Sequence, residues 1–506
     1  MNQPSSGLAT RTLSVTTLAF TICFAVWMIN GVLVTFLVNN GIYKWSPVQV
    51  GWLLGVPVLV GSVLRLPVGI LTDKLGGRWV MGSLLMLCAV PVYLLSYADD
   101  YTSFLALSFC FGIAGSTFAS GVAYVSLFFP KNKQGTALGI FGAGNMGAAL
   151  TTLFGPTLLE YVTDHGANLA AWRSMPRLYA ALLAATGIVF FLLTKNARPT
   201  AVKSMRDRLL PLREARVWRF GLYYFVVFGS FVALSQWLIP YYVNVYSMPI
   251  VMAGFMTTAF NLPSGVIRAV GGVLADKIGA RMLLYVVFGV CIVCLFLLFF
   301  PRMEINAPGQ GIMATRAGTV TAVSDNEIQI GDTRYAIQHK GDTDKNIKIR
   351  FGIHHDTEGF LILPTASTWQ TPLVKAGDTV TKGQLIAKGN TQIYFQANVW
   401  IFTALVFIIG LMMGLGSAAV FKHIPTYYPN DIGSVGGIVG VLGGLGGFID
   451  PIVFGYLLSA TGVWTTSWMM LAGLSIISIA LMHFAISRSK VGVYTVPDEA
   501  IKQIKS

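Results

Sequence analysis

The sequence predicts an all-α polytopic membrane protein of twelve helices with a small all-β domain inserted into it. Composition is the first reason, because 54% of the 506 residues are hydrophobic and only 11% are charged. A typical soluble domain is roughly 25% charged. The second reason is a series of apolar runs, each long enough for a helix of about 20 residues to cross a hydrocarbon core of roughly 30 Å. The lipid bilayer is therefore the first partner that the sequence implies.

The apolar runs fall into two groups of six. The first six spans are predicted near 14–38, 48–72, 80–97, 102–129, 135–160 and 177–194. The other six are predicted near 218–243, 250–275, 281–300, 397–421, 432–457 and 465–486. The first run has no small-residue cleavage site, so we expect a membrane helix there and not a removed signal peptide. The predicted domains are an N-terminal half (1–194), a linker (195–217), a C-terminal half in two pieces (218–300 and 397–486), an inserted domain (301–396) and a tail (487–506).

Basic residues predict the orientation of these spans. The linker 195–217 carries seven Lys and Arg against two acids, and the other even-numbered loops are also basic. The odd-numbered loops, in contrast, carry few basic residues. By the positive-inside rule, the even-numbered loops and both termini face the cytoplasm. This rule accounts for the net charge of +14 without a nucleic-acid partner. We expect a multi-pass protein of the cell's inner (plasma) membrane.

Residues 301–396 differ in kind from the spans. They carry ten Lys and Arg against nine acids, and segments such as GTVTAVSDNEIQI alternate like strands. The stretch VKAGDTVTKGQLIAKG (374–389) resembles the hairpin of biotinyl/lipoyl-carrier-like barrel-sandwich domains, but no Met-Lys-Met acceptor is present, so no cofactor is expected. Because the segment joins spans 9 and 10, we expect a spacer or interaction module outside the cytoplasm, whose partner is unknown. Its histidines are interpreted as solvated loop residues rather than metal ligands: His339, His354 and His355.

The two halves repeat each other. Span 2 ends in SVLRLPVGILTDKLGGR and span 8 in SGVIRAVGGVLADKIGAR, so Arg65 matches Arg268 at an offset of 203 residues. Two six-span halves repeated in parallel describe the major facilitator superfamily, with a 6+6 pseudo-twofold and a substrate site near mid-membrane between the halves. The G-x-L-x-D-K-x-G-x-R part resembles that superfamily's loop signature, and we interpret it as gating machinery. Its residues in the two halves are Gly69, Asp73, Lys74 and Arg78, and Gly272, Asp276, Lys277 and Arg281.

The repeated arginines are predicted to lie deep in the membrane. Arg65 precedes Asp73 by eight residues, which at about 1.5 Å per residue places it roughly 12 Å from the interface. Arg268 is at the same depth by the same reasoning, and a charge there normally faces a cavity or a partner. One alternative is a buried salt bridge, for which Asp450 in span 11 is the main candidate. Since one carboxylate cannot neutralise two arginines, we favour an anion site.

Two glycine-rich spans narrow the identity of the anion. Span 5 contains PKNKQGTALGIFGAGNMGAALTTLFGP and span 11 contains GSVGGIVGVLGGLGGFIDP. Glycine-rich helices let the backbones of neighbouring helices approach closely, which serves either tight packing alone or also the formation of a narrow chamber. With FFPKNKQG, GAGN and the mid-span arginines, they resemble the nitrate/nitrite porters of the major facilitator superfamily over all twelve spans, but not over 301–396. The resemblance implies that Arg65 and Arg268 bind nitrate or nitrite. The other contacts that it implies are Phe118, Gly142, Asn145, Tyr224, Phe228 and Gly440.

Anion chemistry agrees with this resemblance. Nitrate is planar, so a planar guanidinium can donate paired hydrogen bonds to two of its oxygens. Aromatic rings can sandwich such a flat ion, while Asn145 and Tyr224 supply neutral donors. The GIFGAGN segment is one residue shorter than the GxNGGxGN form of some members of the family, which bears on where Asn145 lies.

Coupling and rival functions stay open at the level of sequence. The family includes proton–nitrate symporters and nitrate/nitrite antiporters. Two fixed positive charges favour antiport, because an empty cavity would keep both charges and resist reorientation. Symport needs a titratable group, and Asp450 is the candidate for proton coupling unless it only ends a helix before Pro451. The rivals are a small organic-acid exchanger, and a membrane sensor or adaptor that acts through 301–396. We expect no enzymatic activity and no metal.

Overall fold

The structure is a computed structural model that describes residues 6–199, 205–299, 303–339, 365–395, 398–428 and 432–489. The chain divides into two compact units. One is helical and consists of Met1–Phe296 with Leu405–Ser506, and the other is the smaller unit Leu297–Ala404.

The chain contains the predicted twelve helices long and apolar enough to span a membrane, counted over the described residues. Spans 1 to 6 are Gly7–Asn39, Pro47–Leu75, Gly77–Tyr97, Tyr101–Ser126, Ala137–Val162 and Leu169–Leu193. Span 7 is Ala215–Tyr246, and the helices of spans 8 to 12 are Ile250–Ile278, Ala280–Leu297, Val399–Tyr427, Ile432–Thr461 and Thr466–Ser489. The predicted fold class is confirmed.

Two helices begin earlier than predicted. Span 1 begins at Gly7 rather than near residue 14, and Thr12, which lies in the added part of the helix, is fully buried. The linker is also shorter than predicted, since span 7 begins at Ala215, and a short helix, Met205–Leu209, lies within it. Hydropathy alone could not reveal either difference.

Several spans change their helical geometry in mid-course. Span 2 is divided at Leu64, so that Arg65 is the first residue of its second helix, Arg65–Leu75. Span 5 contains a 3₁₀ turn at Ala143–Met146, and span 7 contains a π-turn at Phe225–Gly229. Such irregularities are often found at functional sites. Each of these three falls on or beside a residue that the sequence predicts for the site.

The repeat is visible in the backbone. Arg65 and Arg268 each lie about one turn beyond the middle of their spans. Both helices then end at a glycine in the left-handed region, Gly76 with φ +96° and Gly279 with φ +87°. A side chain is strained at such φ values, so glycine is the residue that permits this tight corner. The repeated motif therefore builds the same corner twice.

Over its described residues, the smaller unit contains seven strands, which are β1 to β7 in chain order: Met303–Met313, Gly318–Val323, Glu327–Ile330, Thr333–Ala336, Thr365–Pro372, Thr379–Val380 and Leu385–Phe395. They form two antiparallel sheets, with order β1-β7-β5 and β4-β3-β2-β6. A common apolar core includes Val320, Ile328, Val380 and Ile386. The insertion is thus the small β domain that strand alternation predicts.

The VKAGDTVTKGQLIAKG stretch does not pair with itself. Its first strand, Thr379–Val380, joins β2 in one sheet, whereas Leu385–Phe395 joins β1 and β5 in the other. The segment therefore passes from one sheet to the other. His339 contacts the Oδ1 atom of Asn326 at 2.8 Å, while His354 and His355 lie outside the described residues. Among the described residues, no group of three or more His, Cys, Asp or Glu is arranged to hold a metal.

A candidate anion site between the two halves

Arg65 and Arg268 meet at one aromatic ring. The Cζ atom of Arg65 lies 5.2 Å from the ring centroid of Phe228, and the Cζ atom of Arg268 lies at the same distance. Arg65 belongs to the N-terminal half and Arg268 to the C-terminal half, while Phe228 lies in the π-turn of span 7. The two halves thus bring their matched arginines to a shared position.

Arg65 is enclosed by aromatic rings and one backbone carbonyl. Its side chain is 4% exposed, and its Nη1 donates a 2.8 Å hydrogen bond to the carbonyl oxygen of Gly440 in span 11. Trp27 and Phe118 lie 5.9 and 5.5 Å from its Cζ atom. The negative faces of such rings stabilise a nearby cation. They leave the positive charge formally uncompensated.

No carboxylate pairs with either arginine among the described residues. Asp450 instead accepts a 2.7 Å hydrogen bond from the Ser230 hydroxyl. The alternative of a salt bridge to Asp450 is therefore wrong for this structure. The alternative that Asp450 ends a helix before Pro451 is also wrong, because the helix of span 11 continues through Pro451 to Thr461.

The remaining aromatic candidates form the wall around the arginines. Tyr224 stacks on Phe228 with centroids 4.8 Å apart and planes 7° from parallel, and it meets the edge of Phe421 at 5.0 Å. On the other side, Phe118 packs against Phe20 and Phe141 at 5.5 and 5.9 Å. Rings from five spans therefore surround Arg65, which is buried, while Arg268 is half-buried.

Asn145 and Gly142 lie on span 5, beside span 8. Asn145 is 1% exposed and lies in the 3₁₀ turn. A Cβ placed on Gly265, one turn before Arg268, would lie 3.4 Å from the backbone nitrogen of Met146. A Cβ on Gly142 would meet no atom of another segment within 4 Å, so the backbone of span 5 is accessible there. No described hydrogen bond joins Asn145 to either arginine.

Three buried donors of this region make no hydrogen bond to any described residue. They are Nε of Arg65, Nη2 of Arg268 and Nδ2 of Asn145. Buried donors in proteins are nearly always paired, so these three N–H groups are available to an acceptor. Two of the three belong to cations, and the third is neutral. The arrangement can therefore hold a small anion with several oxygen atoms.

Close backbone contacts seal one side of the site. Spans 2 and 11 run antiparallel, and a Cβ on Gly51, Gly55 or Gly455 would come within about 2.5 Å of a carbonyl oxygen of the facing helix. Gly254 of span 8 contacts the Thr152 carbonyl of span 5 in the same way. We call this the sealed end of the bundle.

The opposite end is the one at which the linker connects the halves, and we call it the linker end. A Cβ on Gly139, Gly142 or Gly272 would meet nothing within 4 Å. The glycine-rich spans therefore pack closely at the sealed end and less closely at the linker end. The site lies between the two.

The loop signature makes different ion pairs in the two halves. Asp73 pairs with Arg208 of the linker, whereas Asp276 pairs with Lys422 at the end of span 10. Arg78 donates a 2.7 Å bond to the Phe191 carbonyl, and Arg281 donates to the Tyr427 hydroxyl at 3.3 Å. Lys74 and Lys277 form no ion pair with a described residue. These pairs join helix ends, as the motif predicts.

Sequence reasoning missed Trp27, the π-turn of span 7 and the bond between Ser230 and Asp450. Trp27 lies in an apolar run, where an aromatic residue that faces a cation looks like any other core residue. A π-turn leaves no pattern in hydropathy. The carboxyl of Asp450 was a visible signal, but its partner is 220 residues away along the chain.

Comparison with known proteins places the chain in a family. The model of the Major Facilitator Superfamily matches residues 15–322. A Thermus thermophilus protein named "Probable nitrate/nitrite antiporter NarK1" is 38% identical over 482 residues, which cover 94% of this chain and 91% of that protein. The Bacillus subtilis "Nitrite extrusion protein" is 30% identical over 60% of this chain and 75% of its own length.

Solved structures agree on the fold alone. An inward-facing and occupied bacterial homologue of the human lysosomal transporter Spinster has a TM-score of 0.62 at 12% identity, over 96% of this chain and 98% of that one. The nucleoside transporter NupG has a TM-score of 0.57 at 11% identity, over 94% and 99%. The chain therefore belongs to the Major Facilitator Superfamily and, within it, to the family that includes the Thermus protein.

Proposed function

We propose that this protein transports nitrate and nitrite by alternating access, with the anion held between Arg65 and Arg268. The observation that carries the proposal is the approach of both guanidiniums, from opposite halves, to the ring of Phe228. Neither cation pairs with a described carboxylate. The names of the relatives in Thermus and Bacillus support nitrate and nitrite as the anions.

The donors around the site fit a small planar oxyanion. Arg65 and Arg268 supply charged N–H groups, and Asn145 and Tyr224 supply neutral ones. Phe118 and Phe228 offer ring faces on either side of the ion, while Gly142 and Gly440 carry no side chain that would keep the ion from their backbone. In this role the aromatic rings set the width of the chamber, and the two charges provide the affinity.

We propose exchange of nitrate for nitrite as the mode of coupling. Two uncompensated positive charges that flank one ring repel each other, so the halves reorient readily only with an anion between them. Proton-coupled symport is the second candidate. It is favoured by Asp450, a fully buried carboxyl in span 11 that pairs with no described cation.

The gate and the orientation complete the proposal. The protein lies in the inner membrane. Its linker end and both termini face the cytoplasm, because the loops at that end are basic. The loop-signature residues, Gly69 to Arg78 and Gly272 to Arg281, hold that end through their ion pairs. The domain 301–396, a barrel-sandwich-like module, then lies outside the cytoplasm and serves as an accessory to transport, with an unidentified partner there.

Uptake in proteoliposomes tests the function. Labelled nitrate should enter vesicles loaded with nitrite, and external nitrite should compete with it, while formate and oxalate should compete weakly. Strong competition by the carboxylates would favour an organic-acid exchanger, because paired arginines also suit carboxylates. Failure to transport any anion, together with an activity that depends on 301–396, would favour a sensor or adaptor.

A further inference from the structure

Phe228 owes its position to an irregular piece of span 7. At the π-turn Phe225–Gly229, the backbone N–H of Ser230 donates to the carbonyl of Phe225, five residues earlier. An ordinary α-helix bonds four residues back, so this turn contains one extra residue. A π-turn is rare and persists where its surroundings hold it. The question is therefore which groups hold it here.

Span 11 supplies the first set of such groups through its glycines. A Cβ on Gly443 would overlap the ring of Tyr224, and a Cβ on Gly446 would lie 2.7 Å from the Phe225 carbonyl oxygen. In return, a Cβ on Gly229 would lie 2.5 Å from the carbonyl oxygen of Gly443. The π-turn is thus pressed directly against the backbone of span 11. Packing of this kind fixes the distance between the helices, but a smooth backbone surface does not fix the rotation of the turn.

Asp450 supplies a directional contact one turn further along span 11. Its Oδ2 accepts a 2.7 Å hydrogen bond from the Oγ of Ser230, the residue that ends the π-turn. Both side chains are fully buried. The other oxygen, Oδ1, makes no hydrogen bond to a described residue, and no described Lys, Arg or His forms an ion pair with the carboxyl.

A carboxyl in this setting is costly, because burial of a polar group with only one partner is unfavourable. An apolar pair of similar size would join the two helices at lower cost. The contact therefore has a use other than general stability. Its location indicates that use, since Ser230 follows Phe228 by two residues in the chain.

We propose that Asp450 is a positioning residue for the anion site: through Ser230 it fixes the end of the π-turn, and so holds the ring of Phe228 between Arg65 and Arg268. The inference rests on the proposed function, since it assigns Asp450 a role in anion affinity. Loss of the bond lets the turn relax towards a regular helix, which rotates Phe228 away from the two guanidiniums. The Michaelis constant for the anion then rises, while the maximal rate, set by movement of the halves, changes less.

Nitrate/nitrite exchange by the full chain in proteoliposomes tests the inference. Ser230→Ala and Asp450→Ala both remove the bond, whereas Asp450→Asn keeps an acceptor oxygen. We expect the two alanine variants to raise KM for nitrate about tenfold, and Asp450→Asn to rescue most of that loss. Ser475→Ala is the matched control: this serine is also buried, but its hydroxyl bonds the carbonyl of Leu471 in its own helix, at 2.8 Å. Its KM should equal that of the wild type.

A near-isosteric variant distinguishes loss of the hydrogen bond from misfolding. Ser230→Cys fills the same space with a poorer donor, and we expect it to raise KM less than Ser230→Ala, at wild-type amounts of inserted protein. Unchanged KM in Ser230→Ala and Asp450→Ala would overturn the inference. Equal losses in Asp450→Asn and Asp450→Ala, with Ser230→Ala unaffected, would also overturn it, since the carboxyl would then act without Ser230. Absence of exchange in the wild type would instead contradict the proposed function.

Discussion

Arg65 and Arg268 stand in the same relation to one ring, each with its guanidinium carbon 5.2 Å from the centroid of Phe228. They come from opposite halves of a repeat whose members are 203 residues apart. Two like charges that flank one ring repel each other. An anion bound between them would relieve that repulsion.

Replacing either arginine by lysine should nearly abolish transport. Arg65→Lys and Arg268→Lys keep the positive charge but lose the planar fork that grips two oxygens. We expect nitrate exchange in proteoliposomes to fall at least about tenfold, with normal amounts of inserted protein. Arg177→Lys is the control, because Arg177 also lies over a ring, that of Tyr97 at 5.2 Å, but donates to Ser96 instead of an anion. Normal exchange by both site variants would contradict the proposed clamp.

Adding a methyl group at Gly443 should damage the site by overpacking. A Cβ there would overlap the ring of Tyr224, and such strain costs roughly 1–3 kcal/mol. We expect Gly443→Ala to lower both the melting temperature of the detergent-solubilised protein and its nitrate exchange. At Gly473 in span 12 a Cβ meets nothing within 4 Å, so Gly473→Ala should behave like the wild type. Equal behaviour of the two variants would contradict the packing of span 11 against span 7.

A pH gradient should not drive uptake by itself if exchange is the mechanism. Vesicles without internal anion are placed in an inward proton gradient, and labelled nitrate inside is measured with and without added internal nitrite. We expect uptake only with internal nitrite. Uptake driven by the gradient in the wild type, and lost in Asp450→Asn, would instead assign proton symport to this carboxyl.

The two ion pairs of the loop signature should contribute differently to the rate of nitrate exchange. The side chains of Arg208 and Asp73 are 16% and 20% exposed, whereas those of Lys422 and Asp276 are 44% and 57% exposed. Exposed pairs contribute about 0–1 kcal/mol, so Asp73→Asn should slow exchange more than Asp276→Asn does. Initial rates in proteoliposomes measure the difference. Combining Asp73→Arg with Arg208→Asp should restore part of the rate lost by Asp73→Arg, and no recovery would argue against a direct pair.

Removal of the β domain should leave transport measurable. Residues 301–396 are deleted and the ends are joined by a short flexible linker, and nitrate exchange is compared with that of the full chain at equal protein. We expect the same KM, because every residue of the proposed site lies in the helical unit. Loss of exchange in a correctly inserted deletion variant would make the domain part of the transport machinery.

The twelve spans could be predicted from sequence because a helix that crosses lipid must be long and apolar, and the hydropathy of each residue shows this directly. The correspondence between Arg65 and Arg268 could also be predicted from the sequence, since the two copies of a repeat keep the same spacing between their residues. The shared contact with Phe228 was not, because it depends on a π-turn that has no signature in hydropathy. The role of Asp450 was hidden for a similar reason: hydrogen bonds between distant spans depend on helix rotation, which spacing alone does not determine.

The glycine contacts between spans 2 and 11 have a thermodynamic consequence for turnover. When ordinary side chains interlock at a helix interface, each loses rotamer freedom, and that loss opposes closure. Glycine has no rotamers, so the seam from Gly51 to Gly455 forms and separates with little change in side-chain entropy. In the proposed alternating-access cycle, the two access states can then lie close in free energy, and the bound anion would decide which of them is populated.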